Sequence, residues 1–532
     1  MTPPGLSLLS ALLPEIILIG GAFVVLFTGM GATRRDSHRA FWLALGFTAL
    51  ATWFAWYPTA ATADLSSWIA RDTLVDYARL LTLGMGYLIL LTARHVPEPH
   101  ERAEFFCLIL VSLSGVMLTA QANDLIFLFL ALEVVSVPTY ILIGLSRRDV
   151  QAQEATGKYF FLGAFAAAIT LYGLSFLYGA TGTTTLFGDA DRPGIAAALS
   201  FAAAIHSPLL ILGFLLTLAG LAFKLAAVPL HFYVADVYQG AAAPVTGMLG
   251  FVPKFAGFLA VVRLLSLIHW NSDGGLFWLL WAMAVATMLV GNTLALMQSN
   301  VKRMLAYSSV AHSGYMLVAL VAENGDGRGI AAMLFYMSVY AVMNLGAFAA
   351  LSFFRKRTDD EEDSAQTLED LAGSARRHPW AALALAICVV GLMGLPPTGG
   401  FFAKLHVFSA ALARGTESAQ GAALLWLVVI GVVNAAIGAA YYLRIVASCY
   451  LRPPGEAASK VFASRCPELH LALAACAVFV LTVFWRPAWV SERTREAVAG
   501  IRAAPQAASD LPVTVQQSAA NSPPRPPVAG EP

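Results

Sequence analysis

Four ionisable residues lie deep inside long apolar stretches of this sequence: Glu133, Lys224, Lys254 and Lys404. A charged side chain near the middle of a bilayer costs at least about 2.5–3.5 kcal/mol, so such residues are rare and are mostly functional. Burial disfavours the charged form of a lysine, and a nearby carboxylate opposes that effect. A buried Glu–Lys pair that separates and rejoins would change its proton affinity. The chemistry that these residue types predict is therefore proton transfer.

Each of these groups also has a structural alternative. Glu133 could be a carboxylate that hydrogen-bonds a neighbouring helix, and the lysines could extend to the membrane interface. Extension to the interface is a poor explanation for Lys254 and a better one for Lys224 and Lys404. We favour a functional role for all four residues because so many deep charges are energetically costly.

Four further residues are candidates for a relay or for coupling. His312 lies inside an apolar stretch, and His231 follows Pro229. Histidine titrates near neutral pH, so either could relay protons, and either could equally be a hydrogen-bonded structural group. Glu154 and Lys158 are four residues apart and would share one helix face. A plain surface ion pair and a coupling role are both open for this pair.

The composition indicates the environment of these residues. Of 532 residues, 58% are hydrophobic and 12% are charged, and the mean hydropathy is +0.70. Soluble domains contain about 25% charged residues, so we predict an integral membrane protein. The net charge of +1 gives no indication of nucleic-acid binding. The five cysteines are scattered without a CxxC pair, so we expect no iron–sulfur or zinc site and no cofactor in this chain.

Continuous apolar runs of about twenty residues predict transmembrane helices rather than a β-barrel. We predict an all-α integral membrane protein with about fourteen transmembrane helices. The first apolar run lacks a basic leader, so we expect it to stay as a helix rather than to be a signal peptide. The predicted spans are 10–30, 40–57, 75–94, 104–121, 123–145, 156–180, 206–230, 243–267, 275–297, 303–321, 329–354, 379–411, 422–450 and 468–488.

The loops between these spans alternate in charge. Basic or mixed loops alternate with acidic or nearly uncharged ones, which by the positive-inside rule places both termini on the periplasmic side. The fourth to eighth spans then start on the cytoplasmic side, and the ninth to thirteenth start on the opposite side. Because five is an odd number, two consecutive five-helix units must have inverted topology.

The seventh and twelfth spans hold equivalent places in the two units, and both carry helix-breaking residues beside a lysine. Pro229 follows Lys224, and the run LPPTGG at 395–400 precedes Lys404. Proline removes a backbone donor and clashes with the preceding turn, so both helices are predicted to be broken. Broken helices at matching places in inverted halves are typical of ion sites in transporters.

These patterns divide the chain into five parts. The tail is rich in Pro, Ala, Ser and Gln from about Ala503 onwards, which is typical of disorder. The parts are three N-terminal transmembrane helices (1–103), a first five-helix repeat (104–267), an inverted second repeat (275–450), a last transmembrane helix (451–490) and a tail predicted to be disordered (491–532).

Four stretches resemble those of the antiporter-like membrane subunits of respiratory complex I. They are LALEVVSVPTYIL, FKLAAVPLHFYVADVYQGAAAPVTGMLG, VKRMLAYSSVAHSGYML and GLPPTGGFFAKLHVF. The resemblance covers roughly residues 10–488. Within the family the chain is most similar to the N subunits of bacterial NADH–quinone oxidoreductase, because the ADVYQGAAAPVT turn is similar to theirs. The predicted tail, in place of a long lateral helix, favours N over L subunits, and a lysine at 404 fits N or L better than M.

The resemblance implies a hydrated proton path through a fourteen-helix fold. Glu133 and Lys224 would be its coupled pair, and Lys254 would pass protons towards Lys404. Quinone reduction elsewhere in the complex would supply the energy, so the chain would be a translocase subunit without a redox centre. NADH, FMN, iron–sulfur clusters and quinone would belong to partner subunits. The partners would be other membrane-arm subunits, in the bacterial cytoplasmic (inner) membrane.

Three other functions remain open from the sequence. The chain could belong to a multisubunit sodium/proton antiporter, which shares the Glu and Lys pattern, or to the membrane arm of a hydrogenase-type complex. It could also be a scaffold whose ionisable groups only hold helices together. The cost of four deep charges argues against the scaffold.

Overall fold

The computed structural model describes residues 9–29, 34–56, 68–98, 100–188, 193–200, 207–267, 274–357, 362–415 and 418–509. These residues form helices and one small sheet. The helices are α1 (Leu13–Gly29), α2 (Arg34–Trp56), α3 (Thr73–Ala93), α4 (Arg102–Gln121), α5 (Leu125–Ser146), α6 (Val150–Thr181), α7 (Ile195–Ser200), α8 (Pro208–Leu225), α9 (Val234–Gly240), α10 (Ala243–Leu249), α11 (Val252–Leu265), α12 (Gly274–Leu296), α13 (Val301–Val321), α14 (Arg328–Phe353), α15 (Ser374–Arg377), α16 (Pro379–Met393), α17 (Gly399–Leu412), α18 (Ala419–Tyr450), α19 (Glu456–Ser459), α20 (Pro467–Trp485) and α21 (Pro487–Ser509). The strands β1 (Phe354–Arg357), β2 (Glu362–Ser364) and β3 (Val461–Ala463) form an antiparallel sheet in the order β2-β1-β3.

Within the described residues, eleven helical segments are long and apolar enough to cross a bilayer, counting α10 and α11 as one. The chain is therefore a multi-pass membrane protein, as its composition predicts. Helices α1, α16 and α17 are apolar but shorter, and α2 is not among the eleven. The count of about fourteen spans stays a prediction for this reason.

Three segments form the centre of the bundle. The segment formed by α10 and α11, together with α13 and α14, is buried almost completely along its length. Close packing of α12 on α13 depends on glycine, since a methyl group at Gly291 would lie 2.5 Å from the backbone nitrogen of Ala311. Small residues at such crossings let helix backbones approach each other in the absence of a hydrophobic driving force. The central segments carry Lys254 and His312.

Helical structure is interrupted beside two of the predicted lysines. Helix α8 ends at Leu225, and Ala226 adopts a left-handed conformation with φ of 55°. Helix α16 ends at Met393, Gly394 has φ of 85°, and α17 begins only at Gly399. Each interruption leaves helix-terminal carbonyl groups without helical partners, which are attractive acceptors for a cation.

The C-terminal region differs from the prediction. We expected residues 491–532 to be disordered, but α21 continues the chain as a helix to Ser509. Val490, Ala497 and Val498 are buried, and Thr73 at the start of α3 donates a hydrogen bond to the carbonyl oxygen of Ala497 at 3.0 Å. The polar composition concealed a helix that is apolar on one side only. Residues 510–532 lie outside the described residues.

Candidate functional site

Glu133 and Lys224 form an ion pair between α5 and α8. The Nζ atom of Lys224 lies 3.2 Å from Oε1 of Glu133, and the two side chains are 6% and 25% exposed, respectively. Nζ also donates a hydrogen bond of 2.5 Å to Oγ of Ser136, which is on the same helix as Glu133. Lys224 occupies the last turn of α8, where the negative end of the helix dipole stabilises a cation. The ammonium group is therefore held by a carboxylate and a hydroxyl group of α5.

A small cavity lies between Lys224 and Lys254. Its walls include both lysines together with Tyr159, Tyr233 and Tyr238. The cavity has room for about one water molecule, which the polar atoms of the lysines and tyrosines in its mainly apolar wall could bind. The hydroxyl group of Tyr238 reaches Oγ of Ser309 at 3.2 Å, so a hydrogen bond leads from this wall to the surroundings of Lys254.

Lys254 is surrounded by oxygen atoms of α13. Its Nζ donates to the carbonyl oxygen of Ser309 at 2.5 Å, to Oγ of Ser309 at 2.6 Å and to Oγ of Ser313 at 2.9 Å. Among the described residues, no carboxylate lies within ion-pair distance of this Nζ. A hydroxyl group can donate as well as accept, so the same surroundings can hold either an ammonium or a neutral amine. The site suits a group that gains and loses a proton.

His312 bridges two tyrosines in the interior of the bundle. Its Nδ1 lies 2.7 Å from the hydroxyl oxygen of Tyr336, and its Nε2 lies 2.9 Å from that of Tyr442. The ring of Tyr340 lies 4.9 Å from the imidazole ring and 5.7 Å from Nζ of Lys254. A neutral imidazole has one donor and one acceptor nitrogen, so this bridge can pass a proton from one side of the ring to the other.

Lys404 contacts the end of the preceding half-helix. Its Nζ donates a hydrogen bond of 2.6 Å to the carbonyl oxygen of Met393, the last residue of α16. Nζ also lies 5.1 Å from the ring centre of Tyr315, and that ring is 6.0 Å from the ring of His312. No ion pair of Lys404 occurs among the described residues. A helix carboxyl terminus thus takes the place that Glu133 has at Lys224.

The structure brings five of the eight predicted residues into one row. The contacts described above set the order of the residues in this row. The cavity lies between Lys224 of α8 and Lys254 of α11. The members of the row are Glu133, Lys224, Lys254, His312 and Lys404. All of them can bind or release a proton. A water-sized cavity separates Lys224 from Lys254, and the rings of Tyr340 and Tyr315 separate His312 from the lysines at 254 and 404. Proton transfer along the whole row therefore requires water molecules in these gaps.

Glu154 and Lys158 lie outside this row but belong to a larger network. Nζ of Lys158 is 2.6 Å from Oε1 of Glu154 and 2.7 Å from Oδ2 of Asp236. Nη1 of Arg303 lies 2.7 Å from the other carboxylate oxygen of Asp236. Partial burial opposes ionisation of Asp236, but the hydrogen bonds from Lys158 and Arg303 outweigh it and lower the pKa of the carboxyl group. The pair is therefore more than an isolated surface contact.

The structure does not bring His231 into the row. It lies in the turn between α8 and α9, and none of the contacts among the described residues joins its ring to Lys224, Lys254 or His312. Its role as a relay stays a prediction.

Sequence reasoning missed several buried charged groups. Arg79 pairs with Glu15 at 2.8 Å between α3 and α1, and both side chains are almost fully buried. Arg263 pairs with Asp72, with Nη2 3.0 Å from Oδ1. Each residue stands near the end of a predicted span, where a charged side chain can reach the membrane interface and so gives no sign of burial. These charges are fully paired, which is the condition for keeping charges inside a protein.

The described residues contain no group of three or more His, Cys, Asp or Glu side chains arranged to hold a metal ion. The fold and the buried row define a class: helical membrane proteins with ionisable groups at membrane depth. Residues 122–438 match the family model described as "NADH:quinone oxidoreductase/Mrp antiporter, TM". The chain therefore belongs to this family of antiporter-like membrane proteins.

Individual relatives are consistent with this assignment. The chain is 35% identical to NADH-quinone oxidoreductase subunit N of Trichlorobacter lovleyi, over 84% of this chain and 88% of that protein. It is similar to a chain of respiratory complex I from Thermus thermophilus with bound aureothin, with a TM-score of 0.73 and 31% identity over 90% of this chain and 98% of that one. It also shares the fold of a chain of the Mrp complex from Dietzia sp., with a TM-score of 0.76 and 21% identity over 97% and 99% of the two chains.

Proposed function

We propose that this chain is a proton-translocating membrane subunit of an NADH–quinone oxidoreductase, similar to subunit N. The observation that carries the proposal is the ion pair between Glu133 and Lys224 at one end of a row of buried ionisable groups that continues to Lys404. Relatives that are 35% and 36% identical to this chain are named NADH-quinone oxidoreductase subunit N. Energy from quinone reduction elsewhere in the complex would alter the Glu133–Lys224 distance and so drive proton transfer along the row.

Two inverted five-helix repeats fit this mechanism. Lys224 ends α8 at one interruption, and Lys404 contacts the end of α16 at the other. Each lysine thus lies beside an interruption of helical structure inside the bundle, which supports the proposed equivalence of the seventh and twelfth spans. The proposed orientation in the bacterial inner membrane, with both termini on the periplasmic side, rests on the loop charges alone.

Neighbouring membrane subunits are the expected partners. Glu133 lies on a face of α5 whose apolar residues Ile126, Leu130 and Val137 are about half exposed. A carboxylate next to lipid would be costly, so a protein surface covering this face fits better. NADH, FMN, iron–sulfur clusters and quinone would be bound by those partner subunits, and this chain would take part in the enzyme only as a translocase subunit.

The first experiment compares Lys224→Ala with the wild type in inverted membrane vesicles. NADH-driven acidification and NADH–quinone turnover are measured in membranes whose complex assembly is verified by native gel electrophoresis. We expect both activities to collapse in the assembled variant. The control is Lys460→Ala, which removes an exposed lysine and should leave both activities unchanged.

The same experiment tests the alternative function. If NADH-driven acidification and turnover are normal in Lys224→Ala while sodium-driven proton exchange is lost, the chain is a sodium/proton antiporter subunit. If none of these activities changes in the assembled variant, the row does not conduct protons.

A further inference from the structure

Helix α9 forms one wall of the cavity between Lys224 and Lys254. Val237 and Tyr238 of this helix line the cavity, as does Tyr233 immediately before it. Val237 is completely buried, and the hydroxyl group of Tyr233 donates a hydrogen bond of 2.8 Å to the carbonyl oxygen of Phe223. The position of α9 therefore determines whether water can reach the cavity from the side of the membrane on which α9 lies.

Charged groups of two other helices hold the outer side of α9. Lys158 of α6 and Arg303 of α13 bind one carboxylate oxygen each of Asp236, both at 2.7 Å. Arg303 also donates a hydrogen bond of 3.0 Å to Oε1 of Gln239, a second residue of α9. Asp236 stands between two cations from helices that lie on opposite sides of the division between the proposed repeats.

Helix α9 has little stability of its own. It contains seven residues, whereas isolated helices shorter than about 12–15 residues are marginal in water. At its end it packs closely on α6, since a methyl group at Gly240 would lie 2.5 Å from Cβ of Ala155. The carbonyl oxygen of Ala241, just after the helix, accepts a hydrogen bond from Lys302 at 3.3 Å. Contacts with α6 and α13 must therefore keep α9 in place.

We propose that Asp236 is a positioning residue that keeps α9 closed over the cavity by pairing with Lys158 and Arg303. Without its carboxylate, Lys158 would keep only Glu154 as its anionic partner, and α9 would lose both ion pairs that hold it to α6 and α13. Loss of these two contacts would favour an open arrangement. The consequence for proton transfer rests on the proposed function: an open α9 would connect the two lysines to water on the side of Asp236, the cytoplasmic side in the proposed topology. Glu154 and Lys158 would then influence proton transfer indirectly, because Lys158 pairs with both Glu154 and Asp236 and so helps to hold α9.

Cysteine labelling tests this proposal without requiring any NADH-dependent activity. Val237→Cys is introduced into the full chain, and membrane vesicles of both orientations are treated with a membrane-impermeant maleimide. Peptide mass spectrometry quantifies the label at residue 237 separately from the five native cysteines. With Asp236 intact, we expect protection from both sides. With Asp236→Asn, we expect labelling about tenfold faster from one side only, because two charge-assisted hydrogen bonds are lost.

Two further variants make the test specific. Asp236→Glu keeps the charge and should keep residue 237 protected. Glu101→Gln removes a carboxylate that pairs with Arg148 at 2.7 Å and has no contact with α9, so it should also leave residue 237 protected. If Asp236→Asn prevents assembly, Lys158→Gln breaks one of the two ion pairs and is compared in its place.

The proposal is overturned if assembled Asp236→Asn leaves residue 237 as protected as before, or if Asp236→Glu exposes it equally. Failure of the proposed function gives a different result. In that case Lys224→Ala would leave NADH-driven acidification normal, whatever the labelling of residue 237.

Discussion

Lys224 binds Glu133 and Ser136 with one ammonium group, and these two partners are neighbours on the same helix. The geometry gives the lysine two oxygen partners of different charge. If Glu133 moves away, Ser136 still accepts a hydrogen bond but no longer supplies a negative charge. A change in the distance from Lys224 to Glu133 therefore alters proton affinity without leaving the lysine nitrogen unpaired.

Glu133→Gln should abolish most NADH-driven acidification while the complex still assembles. Glutamine keeps the shape of the side chain and removes the charge that stabilises the Lys224 ammonium group. Breaking a buried pair by removing one charge costs about 3–5 kcal/mol, and the lysine can avoid that cost by losing its proton. Acidification of inverted vesicles, normalised to assembled complex, measures the effect. Glu133→Asp, with a shorter side chain and the same charge, should retain an intermediate rate; equal rates for Gln and wild type would contradict the coupled-pair role.

His312→Leu should reduce proton translocation strongly, because it removes the bridge between the hydroxyl groups of Tyr336 and Tyr442. The matched control is His406→Leu. His406 lies two residues after Lys404 but bonds the carbonyl oxygen of Phe402 within its own helix, outside the row. The rate of proton translocation per assembled complex distinguishes the two variants. Equal losses in both would indicate that His312 has only a structural role.

Gly394→Ala should impair translocation more than Gly415→Ala does. Both glycines have left-handed backbones, with φ of 85° and 70°, so alanine costs about 1–2 kcal/mol at either position. A methyl group at Gly394 would lie 2.8 Å from Cδ of Lys404, which belongs to the proposed proton path. A methyl group at Gly415 would have no such neighbour within 4 Å. The melting temperature, measured in parallel, should fall at least as much for Gly394→Ala as for Gly415→Ala, because Lys404 must also shift, so translocation is compared per assembled complex. If translocation also falls equally, the position of Lys404 against α16 does not matter.

His95 should make the protein less stable as the pH falls from about 6.5 to about 4. Burial lowers the pKa of His95 to about 4, and its Nε2 contacts Oγ of Ser352 at 2.8 Å. In the folded state the imidazole is neutral in this interval, while the unfolded chain binds a proton, so stability is present above pH 6.5 and is lost below it. The melting temperature of the purified protein at pH 8 and pH 5 measures this loss. His95→Gln should reduce the difference, and His100→Gln, at an exposed histidine, should not.

Local features of the sequence were sufficient for part of this description. Apolar runs predicted the membrane helices because the bilayer requires about twenty apolar residues in a row, whatever the neighbouring helices are. Pro229 and the run at 395–400 indicated where helices stop. The same apolar runs predicted that Glu133, Lys224, Lys254 and Lys404 lie at membrane depth. The free-energy cost of placing charges there indicated that these residues are functional.

The contacts between distant residues were decided by the tertiary structure. Helix packing decides that Lys224 meets Glu133 and that Asp236 joins α6 to α13. It also decides that Lys254 donates hydrogen bonds to oxygen atoms of α13. Helical periodicity states which face a residue occupies, but not which helix lies against that face. The same limit explains α21: its polar composition predicted disorder, and only the packing of Val490, Ala497 and Val498 makes the helix stable there.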